Sequence, residues 1–485
     1  MYEFSLFLSV FCLIGVCFAF MRSRAFSLFH PLTFYLAFHG FVFVFRPILA
    51  WIEQFDLVYK VYQFTPSYSD KVTAILASNL GMLVFAATCW RAGNSAMVFK
   101  QDRTSLAERE RLKVAFLWAA AMCIPLGVYS LLTAWNTAVD TGSAYSNMIR
   151  IAKTGKVYNE GMNGYLLEAQ LMLGSCAAIF AWLFRFRFYS LLPLIAFTVY
   201  RAGTGVRGAF VTAFVSAALF YLYDRKRRLP SLVLLAIVPV MLLMFTAIGD
   251  DRGASIRRML SDDKSSQIFG KNRSGERALE GMDFANLEYL EFVIYAVPQR
   301  SGTYGYFNNF AQIFTEPVPR ALWPDKPIGA PFQRINFFDY GNPVGMTLSL
   351  PGEGWYSLGW AGVVIWCALC GWFLGALYRR FVQAQQSTIQ VAIYIIFLPI
   401  LIVAFRDGQL VTVLRQALFF LLPIGLWQLM ARLLGVSPLP HAIPALIRQQ
   451  GSRRRTTKEQ LIGSSLPFAV LRRRQALLAE RSDTE

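Results

Sequence analysis

Charged side chains are scarce. Asp, Glu, Lys and Arg make up 16% of the 485 residues, against 55% hydrophobic ones. A soluble chain of this length could not hide that much apolar surface, so lipid must solvate a large part of it. Histidine is scarcer still: there are three (His30, His39 and His441), and none falls in 250–356, the longest polar stretch between apolar runs. With no Asp-x-Asp motif on a strand and no His/Cys set, the sequence offers no recognisable metal site. The seven cysteines (Cys12, Cys17, Cys89, Cys123, Cys176, Cys367 and Cys370) all fall in apolar stretches, which excludes a disulfide framework. Cys367-Ala-Leu-Cys370 has redox or metal spacing, but it sits inside an apolar run with no ligand beside it. It reads as a pair of small packing residues.

Long apolar runs are plentiful. A spanning helix needs roughly 20 mostly apolar residues. The runs near 4–21, 29–52, 72–90, 114–135, 164–184, 188–201, 207–223, 229–249, 357–378, 388–405 and 409–434 predict about eleven spans (10–12) in an all-α integral membrane fold. The run 188–201 is short, so 188–223 also reads as a broken helical hairpin. The first run resembles a signal peptide but lacks a charged leader and a small-residue cleavage site; Arg22 and Arg24 follow it, so it reads as a retained anchor.

Basic clusters occur at every second connection: Arg22/Arg24; Arg91 to Lys113; Arg185/Arg187; 225–228; Arg379/Arg380; and the tail, with 453–455 and 472–474. The positive-inside rule assigns these to the cytoplasm. The N-terminus is then periplasmic, the C-terminus cytoplasmic, and the connections 53–71, 136–163, 202–206, 250–356 and 406–408 face outward. The net charge of +18 suggests nucleic acid at first sight. Yet 250–356 carries 11 Lys/Arg against 13 Asp/Glu, so the excess lies in the inward clusters, where it serves topology and binding to membrane lipids. No nucleic-acid module is visible. Four segments result: an N-terminal membrane bundle (1–249, about eight spans), a large periplasmic loop (250–356), C-terminal membrane helices (357–434) and a basic tail (435–485). Within the tail, 467–478 has the pattern of an amphipathic helix lying on the membrane surface.

The large loop is partly helical by pattern. Phe284 to Val297 is too charged to span yet apolar enough to bury, and Pro298 ends it. Next, 316–327 holds four prolines and presents Arg320, Trp323 and Lys326. Such a rigid loop suits an anionic, sugar-bearing ligand, because guanidinium forks match phosphate oxygens and aromatic faces stack on sugar rings. A Pro-rich cap with surface charges accounts for it equally well. At the loop's end Glu353 stands between glycines, either as a base for a hydroxyl or as a carboxylate that complements a helix dipole.

Three further turns face the same way. Arg201-Ala-Gly-Thr-Gly-Val-Arg207-Gly leads into a helix N-terminus, a geometry that favours anions. Asp250-Asp-Arg252 and Arg406-Asp407-Gly follow other spans. Arginines are costly in hydrocarbon, so these point to an outward cationic cavity unless the Arg-Asp pairs are purely structural. Arg46 lies where it can join that cavity. His39 reads as a helix–helix hydrogen-bonder, and Glu168 as a partner for an arginine.

Thr204-Gly-Val-Arg-Gly208, Val318-Pro-Arg-Ala-Leu-Trp-Pro-Asp-Lys-Pro327 and Gly352-Glu-Gly-Trp-Tyr-Ser-Leu-Gly-Trp-Ala-Gly362, in that order on such a scaffold, resemble elements of the O-antigen polymerase (Wzy-like, oligosaccharide repeat-unit polymerase) family. The resemblance covers nearly the whole chain, with the Pro-Arg-x-x-Trp-Pro-x-Lys-Pro stretch its distinctive part. It implies a metal-independent, C-type membrane glycosyltransferase of the bacterial inner membrane that needs no cofactor. Such an enzyme joins undecaprenyl-diphosphate-linked oligosaccharide repeat units into a surface polysaccharide and works beside a chain-length regulator. For that chemistry the residues offer Arg207 and Arg252, then Arg320 and Lys326, as the cations that neutralise the diphosphate, with Arg201, Trp323 and Arg406 as further binding residues and Glu353 as a candidate base. Two alternatives stand beside it. An O-antigen ligase is expected to carry a functional His in the large loop, which this loop lacks. A flippase for lipid-linked glycans is expected to show internal repeats and mid-membrane polar sites.

Overall fold

A computed structural model describes residues 1–99, 106–141, 148–150, 157–159, 164–232, 236, 248, 253–260, 279–318, 322–323, 334–385 and 387–436. Arg252, Arg320, Lys326, the tail segment 467–478 and most of the run 229–249 lie outside the described residues. The chain is a multi-pass membrane protein, and its described residues are helical apart from one short antiparallel ladder between Met148–Arg150 and Val157–Asn159.

The elements before the large loop are α1 (Tyr2–Met21), α2 (Pro31–His39), α3 (Arg46–Glu53), α4 (Leu57–Tyr62), α5 (Tyr68–Ala92), α6 (Leu106–Thr141), α7 (Gly164–Glu168), α8 (Leu171–Leu183), α9 (Phe188–Gly203) and α10 (Gly208–Asp224). Within and after the loop come α11 (Ala254–Leu260), α12 (Asn286–Ala296), α13 (Gln312–Thr315), α14 (Ser349–Ala384), α15 (Thr388–Asp407) and α16 (Leu410–Leu433). Local chemistry sets several ends. Ser67 and Asp70 form a capping box at the start of α5. His30 caps α2 ahead of Pro31. Gly408, at φ +71°, closes α15.

Eight helices among the described residues are long and apolar enough to cross a membrane, against the eleven expected. Of the missing three, the run 229–249 lies mostly outside the described residues, and the other two have a physical cause. At 1.5 Å per residue α9 and α10 each reach only about 25 Å, short of a hydrocarbon core of about 30 Å. They form the broken hairpin that 188–223 suggested. The run 29–52 is continuous but not uniform: a π-helical segment, Gly40–Phe45, joins α2 to α3 and re-aims the turn that begins at Arg46.

The bundle is organised on α5 and α14, which touch along a seam of small residues. A Cβ on Gly371 would lie 2.3 Å from Thr88 Oγ1, and one on Gly375 would lie 2.3 Å from the Cys89 carbonyl oxygen. Such close backbone approach is how helices associate where no hydrophobic force separates them from lipid. Cys367 is buried on this seam against Gly81, as a small packing residue. Met1–Leu434 packs as one unit, so 1–249, 250–356 and 357–434 are segments of topology rather than separate bodies.

Candidate functional site

α14 is broken. Leu358 (φ −154°, ψ 26°) and Gly359 (φ 59°, ψ −136°) leave helical geometry, and the arm 349–357 folds back along 360–384. The proof of reversal is that Gly354 meets Gly362 and Val363, eight and nine residues on, backbone to backbone. Pro351 and Val363 both flank Gly81 of α5. The pattern at 352–362 predicted a simple entry into a span with Glu353 at its mouth. A fold-back was not legible, because a Gly-rich start fits either course.

Glu353 sits in this arm, 1% exposed. Asn309 Nδ2 donates to both carboxylate oxygens, at 3.1 and 3.0 Å. The loop segment carrying Asn309 is itself laid along the arm. Gly305 N–H donates to the Tyr356 carbonyl (2.8 Å) and Tyr306 N–H to that of Ser357 (3.0 Å). Trp355 Nε1 donates to the Val297 carbonyl at 2.9 Å. The glycines around Glu353 therefore admit neighbouring backbone and side chains.

The turn after α15 closes on the same arm. A Cβ on Gly408 would lie 2.0 Å from the Ser349 carbonyl oxygen and 3.2 Å from Glu353 Cβ, so Arg406-Asp407-Gly408 is seated against the Glu353 arm. The backbone of this turn is held by Asn286 of α12, whose Nδ2 donates to the Arg406 carbonyl (3.0 Å) and to Thr347 Oγ1 (2.9 Å). The side chain of Arg406 is half-buried, and its Nε is buried without a hydrogen-bond partner among the described residues. Further along α16, Arg415 lies 3.8 Å from Glu168 and 3.9 Å from Glu316, a loose pairing. The expectation that Glu168 partners an arginine holds.

Other arginines fall differently. Arg207, at the start of α10, pairs with Asp283 at 2.6 Å and is mostly buried. Arg201 is 2% exposed at the end of α9. Beside it, Arg257 Nη1 donates to the Gly203 carbonyl at 2.7 Å, and Gly253 (φ +77°) rests on the carbonyls of Ala202 and Gly203. Arg201 is thus enclosed rather than displayed at an open turn. Trp323 is partly exposed, at 38%. Arg46 is fully buried, its Nη1 donating to both carboxylate oxygens of Glu288 (2.5 and 2.6 Å) and its Nε to the Leu279 carbonyl (3.1 Å). It anchors the large loop to the bundle and leaves no cation free for a ligand. His39 is buried beside Phe43 and Tyr35, and neither ring nitrogen has a hydrogen-bond partner among the described residues. Among the described residues it therefore makes no helix–helix hydrogen bond, and its ring is packed against aromatic neighbours instead.

α12 is not one of the eight spanning helices, yet nearly all of it is buried. Glu291 accepts from the Tyr59 hydroxyl at 2.7 Å. Burial, with Glu288 one turn away, pushes its carboxyl up to about 8, partly offset by Lys71, the Tyr59 hydrogen bond and Arg46. The same burial and carboxylates push the Tyr59 hydroxyl upward.

Sequence reasoning missed Asp283, Glu288, Glu291, Asn309 and Arg415 as site or support residues. Arg415 carried a usable signal, a cation within the apolar run 409–434 and far from the basic end at Arg432. So did Glu288 and Glu291, two carboxylates spaced i, i+3 on a helix otherwise fit to bury. Asn309 had none. Among the described residues no three His, Cys, Asp or Glu side chains converge as a metal site. Comparison of the chain with protein-family models, with curated proteins and with solved structures finds no match.

Proposed function

We propose that this protein is a membrane glycosyltransferase that polymerises undecaprenyl-diphosphate-linked oligosaccharide repeat units, working without a metal on the outward face of the bacterial inner membrane. The observation that carries this reading is the seating of the Arg406-Asp407-Gly408 turn against the re-entrant Glu353 arm. That contact lays the backbone of the turn that carries Arg406 on the arm that carries Glu353, whose buried carboxylate is held by Asn309.

The arrangement suits transfer from a diphosphate. The bond from the donor sugar's anomeric carbon to the diphosphate oxygen breaks, and one to the acceptor hydroxyl oxygen forms. Charge develops on the departing diphosphate, where preorganised guanidinium donors stabilise it most. Arg406 fills that role, joined by Arg415, whose weak pairing with Glu168 and Glu316 leaves it available to a stronger anion. The acceptor proton passes to Glu353 as the new bond forms. Arg207, paired with Asp283 just before α12, is proposed as a further diphosphate-binding cation. Arg252, Arg320 and Lys326 complete the proposed cationic lining, and a chain-length regulator is the proposed partner.

The test uses purified protein in nanodiscs with a synthetic polyprenyl-diphosphate repeat unit, without ATP or added metal. A ladder of longer lipid-linked glycans that persists in EDTA supports the reading. No ladder, together with translocation of the unit across a bilayer, overturns it in favour of a transporter. Transfer onto a lipid A core acceptor alone overturns it in favour of a ligase.

A further inference from the structure

Tyr306 and Phe307 are consecutive residues in the left-handed region, at φ +50° and +56°, a conformation bulky side chains rarely adopt. Strain of this kind persists only where surrounding structure over-determines it, and it collects at ligand sites. Here the backbone bonds from Gly305 and Tyr306 to the Glu353 arm, and the bond from Asn308 N–H back to the Gly305 carbonyl, hold the turn. The outcome for Phe307 is packing: its ring lies 6.3 Å from that of Trp366. The outcome for Tyr306 is display. Its side chain is 51% exposed although its own N–H is pinned to Ser357.

The displayed ring is also framed. The Arg334 guanidinium lies 5.3 Å from its centroid, over one face. Tyr304 meets it edge-on at 6.3 Å, and Tyr304 in turn abuts Gly359 at the fold-back, where its hydroxyl oxygen would be 2.9 Å from an added Cβ. Ser357 and Glu353 are one helical turn apart on the arm, about 6 Å along its axis. Asn309, three residues past Tyr306, holds the Glu353 carboxylate. An aromatic residue that merely marks a lipid–water interface needs neither a strained backbone nor a cation over its ring.

We propose that Tyr306, framed by Tyr304 and Arg334, is a stacking platform for a pyranose ring of the lipid-linked glycan, a subsite next to Glu353. The apolar C–H face of the sugar lies on the open face of the ring, and the guanidinium donates to ring hydroxyls or to a carboxylate of an acidic sugar. The inference rests on the glycosyltransferase reading for its position beside Glu353. Binding of the glycan itself is measured independently of any transfer.

The experiment uses full-length protein in nanodiscs and, as probe, the lipid-free repeat-unit oligosaccharide released by mild acid from the host's own lipid-linked pool. Binding is read by saturation-transfer NMR and titration. Tyr306→Gly removes the ring and also relieves the positive φ, which offsets the entropy a glycine costs on folding, and its thermal midpoint is measured beside its binding. It is expected to weaken binding by about tenfold, the scale of one aromatic stacking contact. Tyr306→Phe keeps binding, and Arg334→Ala weakens it. Equal binding by Tyr306→Gly and parent, or no binding by the parent, overturns the platform even if the parent extends lipid-linked units. Tyr306-dependent binding by a protein that makes no ladder leaves the platform standing and overturns the polymerase reading.

Discussion

Gly362 and Gly354 lie backbone to backbone across the fold-back of α14: a Cβ on Gly362 would stand 1.9 Å from the Gly354 carbonyl oxygen. No side chain can yield there, because both partners are main chain, so the arm itself must move. Gly362→Ala is expected to lose transfer activity and to cost about 1–3 kcal/mol by overpacking. Gly425→Ala is the control, since a Cβ there meets nothing within 4 Å. Thermal midpoints and ladder formation, measured together, should drop for the first variant and hold for the second. Equal midpoints for the two would refute the fold-back.

Arg406 separates chemistry from fold unusually well. Asn286 holds the backbone carbonyl of Arg406, while the guanidinium Nε hydrogen-bonds to none of the described residues. Removing the side chain should therefore leave the turn in place. Arg406→Ala is expected to keep the thermal midpoint and lower turnover by about 10²- to 10³-fold, the loss typical of one preorganised donor. A large fall in midpoint with unchanged turnover in the surviving fraction would reassign Arg406 to structure.

The buried carboxyl of Glu291 gives the protein a pH-dependent stability. Its ordinary value is about 4.5 and the folded state pushes it up to about 8, so the folded state prefers the neutral form. For a raised pKa, the contribution is fully present below the unfolded value and is lost as pH rises through the folded one. Burial is the main cause of the shift; of the facing groups Glu288 adds to it, and Lys71, the Tyr59 hydrogen bond and Arg46 oppose it. Denaturation midpoints of the parent should fall relative to Glu291→Gln between about pH 4.5 and 8. The difference between the two should be flat outside that window. Parallel curves across the window would show that Glu291 titrates normally.

The all-helical membrane architecture was legible in the sequence because lipid imposes a length and a composition on every span, and the runs 4–21, 72–90 and 388–405 announce themselves on that basis. What could not be read was which polar groups meet. Arg46 and Glu288 are 242 residues apart, and Asn309 and Glu353 are 44 apart on elements of quite different character. Single-chain patterns carry no register for such pairings. The arginine-bearing turns at 201–207 and 406–408 were visible as anion-friendly features, but an enclosed arginine such as Arg201 and a half-open one such as Arg406 look alike in sequence. Burial, which distinguishes them, is a property of the neighbours.

The Arg46–Glu288 pair tests how the large loop is fastened to the bundle. Both groups are buried, and the guanidinium also donates to the Leu279 carbonyl, so one side chain ties a membrane helix to the loop and to α12. Breaking such a pair from one side leaves an uncompensated buried charge and costs about 3–5 kcal/mol, whereas replacing both partners by apolar side chains of similar volume is often neutral. Arg46→Met and Glu288→Leu should therefore each lower stability sharply, and the double variant should recover most of the loss. Recovery is expected to stay incomplete, because Arg46→Met also strips the Leu279 carbonyl of its donor. A double-mutant cycle on the denaturation free energy reads the coupling directly. If the single losses simply add, the pair does not couple, and the loop is held to the bundle by the packing of α12 alone.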